Sequence, residues 1–203
     1  MKSTIKSILG GAFISIGCFA YMITLAKTNN VFLASATFYI GLGLILLFNC
    51  NLFTGKVMTL YNTKPTINYI WDLVSIWIYN LFGSVITSIL LSQIINIDAA
   101  TIIQAKFTLS PIQLIISGLA CNIFVCGAVH SYIKTKSHIM SWFLVTIFVL
   151  MCLEHSVANM TYMSLAFINN YNFLEIVNNL FFVTIGNVMG GLLIANLRRE
   201  EEQ

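Results

Sequence analysis

Charge is what this chain most lacks. Ten Lys and Arg and seven Asp and Glu make up about 8% of 203 residues, roughly a third of what a soluble domain carries. Proline is nearly absent, at two residues, and no Pro-rich or charged run marks a boundary between domains. The five cysteines, Cys18, Cys50, Cys121, Cys126 and Cys152, all lie in apolar stretches with no CxxC or Cys/His spacing. That excludes the usual metal sites and reads as small buried hydrophobes. With a net charge of +3 and one mixed cluster, Arg198 to Glu202, nucleic acid is not an expected partner and no cofactor is implied. There is no GxSxG elbow. Adjacent His155 and Ser156 also make a poor nucleophile and base, so an enzyme is not expected.

What is there is apolar sequence, 58% of the chain, interrupted at intervals. Uncharged stretches run over Ser7–Ala26, Thr28–Gly55, Leu73–Ile97, Phe107–Ile133, Ser137–Leu153 continued by Ser156–Leu174, and Ile176–Leu197. Each is long enough to cross a hydrocarbon core with helix, which predicts an all-α integral membrane protein of six spans and a single domain over 1–203. The start has the basic-then-apolar shape of a signal peptide, and Ser15-Ile16-Gly17-Cys18 faintly resembles a lipoprotein box. The apolar run continues to Ala26, however, so a first transmembrane helix is the better reading. Placing the N-terminus inside puts Lys2, Lys6, Lys56, Lys64, Lys134, Lys136, Arg198 and Arg199 in the cytoplasm and leaves Lys27 and Lys106 outside. Both termini are therefore expected in the cytoplasm of a multi-pass protein of the cell's inner membrane.

Spans two and five are too long. Near 30 residues each, they would extend about 45 Å as helix against a core of about 30 Å, so each is expected to be broken. Break chemistry stands at Asn49 to Gly55 and at Glu154-His155-Ser156. Thr54 and Ser156 are expected to cap new half-helices, and Gly55 to tolerate strained angles. The halves, about 1–100 and 101–203, also echo each other: Asn80-Leu81-Phe82-Gly83 and Asn187-Val188-Met189-Gly190 share N-x-x-G. Three spans per half require inverted repeats, a known plan for transporters. Within span five, an intramembrane charge costs roughly 2.5–3.5 kcal/mol on insertion scales. Glu154 and His155 are therefore either a functional site or a hydrogen-bonded lock between helices.

Two motifs make the chain resemble the formate/nitrite transporter family: Leu52-Phe53-Thr54-Gly55 and Glu154-His155-Ser156-Val157-Ala158-Asn159-Met160. Cys121-Asn122 with Val125-Cys126, Gly186-Asn187 with Gly190-Gly191, and Lys106 support it. The resemblance implies an aquaporin-like protomer in a lipid-embedded homopentamer, with a pore in each subunit for small monovalent anions. It implies a central His155 with Thr54 opposite and Asn122 and Asn187 near. It also implies a cytoplasmic constriction of Leu42, Phe53 and Val125 and an outer one of Phe38 and Phe148. Glu154, Leu52, Gly55, Ser156 and Asn159 would support these. Asn51, Cys152-Leu153 and His130 depart from the formate and nitrite branches, and point towards the related branch that carries hydrosulfide.

An anion in an apolar slit must keep a counter-charge or lose its own. Lys106 and the positive half-helix ends would gather it, and His155 or a water beside it would supply a proton. Each role has a plainer counterpart. His155 is otherwise a neutral hydrogen-bond donor, Lys106 a loop lysine, Thr54 a cap, and Glu154 a partner for a neighbouring helix.

Overall fold

In the computed structural model every regular element is helical, and residues 2–61, 63 and 66–201 are described, with side chains as far as Arg198. Of the charges used above for orientation, Lys64 and the Arg199 side chain lie outside the described residues. The helices are α1 (Lys2–Thr28), α2 (Val31–Phe38), α3 (Ile40–Leu47), α4 (Phe53–Thr59), α5 (Thr66–Ile94), α6 (Ala100–Phe107), α7 (Pro111–Thr135), α8 (Ile139–Leu150), α9 (Ser156–Ile168) and α10 (Phe173–Glu201). Apolar sequence in lipid must satisfy its backbone groups within each segment, which is why it folds as helix. α1, α5, α7 and most of α10 are each long and apolar enough to cross a bilayer.

Between them the long apolar regions are interrupted at residues 48–52 and 151–155. One residue in each loop takes left-handed backbone, Asn49 with φ 51° and Cys152 with φ 54°. Asn visits that region readily, whereas Cys pays for its Cβ there.

Three local expectations are corrected. The N-caps are Leu52 for α4 and His155 for α9, so Thr54 and Ser156 already lie inside the first turn of their helices. Gly55 is helical, and no glycine has a positive φ. What Gly55 supplies is room, since a Cβ would come 3.2 Å from Val129 Cγ2. Phe107 ends the separate helix α6, and the following long helix begins at Pro111 behind a Ser110/Gln113 capping box.

The long helices pack in pairs, α1 on α5 and α7 on α10, with α9 laid against α5 and α4 against α10. Close approach is steric in origin. At Gly83 a Cβ would fall on the Ile8 carbonyl oxygen, and at Gly190 on that of Leu119, so only glycine lets these backbones touch. The pairs enclose polar residues that lipid would reject, among them Ser15 and Thr161, whose hydroxyls meet at 2.7 Å.

Candidate pore site

A break in a helix orphans the first amides of the new segment and the last carbonyls of the old one. Two buried asparagines repair both breaks in matching fashion. Asn80 on α5 accepts from the Phe53 amide at 2.9 Å and donates to the carbonyls of Asn51 at 2.9 Å and Ser7 at 2.6 Å. Asn187 on α10 accepts from the Ser156 amide at 2.8 Å and donates to the carbonyls of Glu154 at 2.9 Å and Gly118 at 2.8 Å. Both amide ends of Asn187 are thus spent on backbone. Asn122 donates to the Thr54 and Asn187 carbonyls and keeps a buried Oδ1 without a protein partner.

The two half-helices meet where Thr54 Oγ1 lies 2.9 Å from His155 Nε2, both side chains buried. The other ring nitrogen, Nδ1, accepts from the Ala158 amide at 3.1 Å and so caps α9. A nitrogen that accepts carries no proton, which assigns the neutral ring its hydrogen at Nε2. Nε2–H then donates to Thr54 Oγ1. The threonine hydroxyl proton is left for another acceptor.

Next to this pair lies a cavity of about 390 Å³ whose walls include His155, Phe38, Phe148, Lys106, Cys152 and Leu153. Phe38 and Phe148 meet edge to face at 6.0 Å, and Phe148 lies 5.9 Å from the His155 ring. Lys106 Nζ pairs with Glu154 Oε1 at 2.9 Å, and the two side chains are only 12% and 3% exposed. Glu154 also accepts from Asn159 Nδ2, which reaches Asn179 Oδ1 at 2.7 Å, and its own amide donates to Ser117 Oγ at 3.0 Å. Lys106 is therefore no free loop lysine, and the two carboxylate oxygens are engaged by Lys106 and Asn159.

Leu42, Phe53 and Val125 are buried on α3, α4 and α7, and Phe53 also borders an apolar groove of about 540 Å³ beside α5 and α10. Leu52 is buried as the α4 cap, and Ser156 Oγ is buried without a protein partner. Among the described residues no group of three His, Cys, Asp or Glu is placed to hold a metal ion. The N-x-x-G echo names Asn80 beside Asn187, but only the structure gives it a part in the site. Asn179 and Tyr162 offered none beyond being polar residues in apolar helices.

The family model for formate/nitrite transporters matches residues 1–198. The nitrite transporter NirC of Salmonella typhimurium strain LT2 is 30% identical over 215 residues, covering 95% of this chain and 80% of that protein. A solved FNT family ion channel is similar with a TM-score of 0.90 at 27% identity, covering 100% of this chain and 90% of that one. A pentameric formate channel with formate bound gives 0.84 at 26% identity over 98% and 95% of the two chains. With its two broken apolar regions, its paired asparagines and these relatives, the chain belongs to the formate/nitrite transporter family.

Proposed function

We propose that the chain is a channel for small monovalent weak-acid anions in the inner membrane, with hydrosulfide preferred and formate and nitrite as the alternatives. The observation that carries this reading is the Thr54–His155 contact beside the cavity that Lys106 lines. Six crossings follow from the uncharged stretches and cytoplasmic termini from the Lys and Arg bias, and the matching roles of Asn80 and Asn187 support two inverted repeats. The likeness to a pentameric formate channel supports a homopentamer.

In this mechanism an anion enters the cavity under the field of Lys106, which Glu154 holds near the wall. The edge-to-face Phe38 and Phe148 rings form the outer narrowing, and Leu42, Phe53 and Val125 the inner one. A bare ion there would lose its hydration with nothing to replace it. A hydronium in the outer water gives its proton to the anion, leaving water, and the neutral acid crosses. Thr54 donates one O–H to it at the centre. Because Nε2–H is already given to Thr54, the Thr54 hydroxyl is the donor that the Thr54–His155 pair leaves free for a solute. The preference for hydrosulfide rests on the departures at Asn51, Cys152 and Leu153, the last two lining the cavity.

Stopped-flow flux of hydrosulfide, formate and nitrite into vesicles carrying the purified protein, at matched pH and salt, tests the reading. Hydrosulfide should be fastest and each rate should rise as the outer solution is acidified. Formate or nitrite equal to or faster than hydrosulfide would remove the preference, and water flow without anion flux would favour a channel for water or other neutral solutes instead. His155→Gln separates the two roles of the ring. Reduced flux with an unchanged pH profile is expected of a neutral donor, whereas a flattened profile would make the ring the proton carrier.

A further inference from the structure

The geometry points to Tyr162 as the residue that positions Lys106 over the cavity and leaves its charge usable. The inference rests on the reading of Lys106 as the anion-gathering cation. Lys106 is the second-last residue of α6, a helix of eight residues that packs only on α9 and α10 among the described elements with more than marginal contact. A lysine at the end of so small an element has four rotatable bonds and needs something to aim it. Two groups do so. Glu154 takes one N–H at 2.9 Å, and the Tyr162 ring on α9 lies 5.2 Å from Nζ, within the range of a cation–π contact. Tyr162 is buried and lines the same cavity as Lys106 and His155.

The two partners act differently on the charge. Glu154 takes one N–H and offsets part of the ammonium's charge. An aromatic face attracts the ammonium through its quadrupole and carries no net charge. The ring therefore fixes the direction of Lys106 without offsetting its charge further. An ammonium has three N–H donors, so those the carboxylate does not take are left for an incoming anion.

The experiment is initial formate flux against outer formate concentration, in low-salt vesicles carrying the full-length channel. Four variants are compared: Tyr162→Phe, Tyr162→Met, Lys106→Gln and the double variant Lys106→Gln/Tyr162→Met. Tyr162→Phe keeps the ring and should match the parent. Tyr162→Met keeps volume and apolarity without the ring and should raise the half-saturating concentration about fivefold, an effect that shrinks at high salt. In the Lys106→Gln background Tyr162→Met should change nothing further. Equal half-saturation for Tyr162→Met and the parent, or a salt-independent shift of the same size in both backgrounds, would overturn the assignment and leave Tyr162 as packing between α6 and α9. If Lys106→Gln alone leaves half-saturation unchanged, it is the anion-gathering role of Lys106 that fails. Should Tyr162→Met not assemble, Tyr162→Leu carries the same expectation.

Discussion

Asn80 and Asn187 each serve three backbone groups from inside the protein. Leaving a buried donor or acceptor unsatisfied costs about 1–3 kcal/mol per group, so Asn80→Leu and Asn187→Leu should each destabilise the protomer by at least about 3 kcal/mol. Thermal unfolding in detergent measures it, and a parental midpoint for either variant would show that its break does not depend on the clamp. At this scale the sequence was legible where polarity itself was the signal. Glu154, His155 and Thr54 stand out because an apolar run cannot hold them unpartnered. Asn80 stood out only through its echo with Asn187, since an asparagine in the middle of a helix reveals its role only when the distant loop it serves is in place. Lys106 was legible as a basic residue, but its pairing with Glu154, 48 positions away, was not.

At the scale of elements, the breaks could be read from length alone, because a 30-residue apolar helix does not fit the bilayer. Their caps could not. The first amides of α4 and α9 are satisfied from α5 and α10, and that leaves Thr54 and Ser156 free of a capping duty their side chains would otherwise suit. The loop at residues 151–155 is strained at one point, with Cys152 held at φ 54°. Cys152→Gly should therefore stabilise the protein by about 1 kcal/mol, measured by denaturant unfolding. The matching Asn49→Gly should gain less, since Asn tolerates that conformation, and an equal gain at both sites would contradict the account. Helix α6 went unseen because it is short and lies between two stretches that were both already assigned to spans.

For the whole molecule, the helical membrane class followed from scarce charge, and the pairing of α1 with α5 and of α7 with α10 from no single motif, since it depends on where glycines on one helix face carbonyls on another. Assembly is checked by mass: the detergent-corrected particle should weigh about five times the 22.7 kDa protomer, and a monomer that still carries anions would separate the pore from the pentamer. One small feature has a reach as wide as the cell's energy supply. His155 Nδ1 is held by the Ala158 amide, so a hydrogen ion hopping along the pore cannot load that nitrogen without uncapping α9, at about 1 kcal/mol, and leaving a cation in an apolar surround. Under the proposed mechanism hydrogen ions then cross only as part of a neutral acid, one for each molecule carried, and the draw on the proton-motive force is tied to the traffic of weak acid.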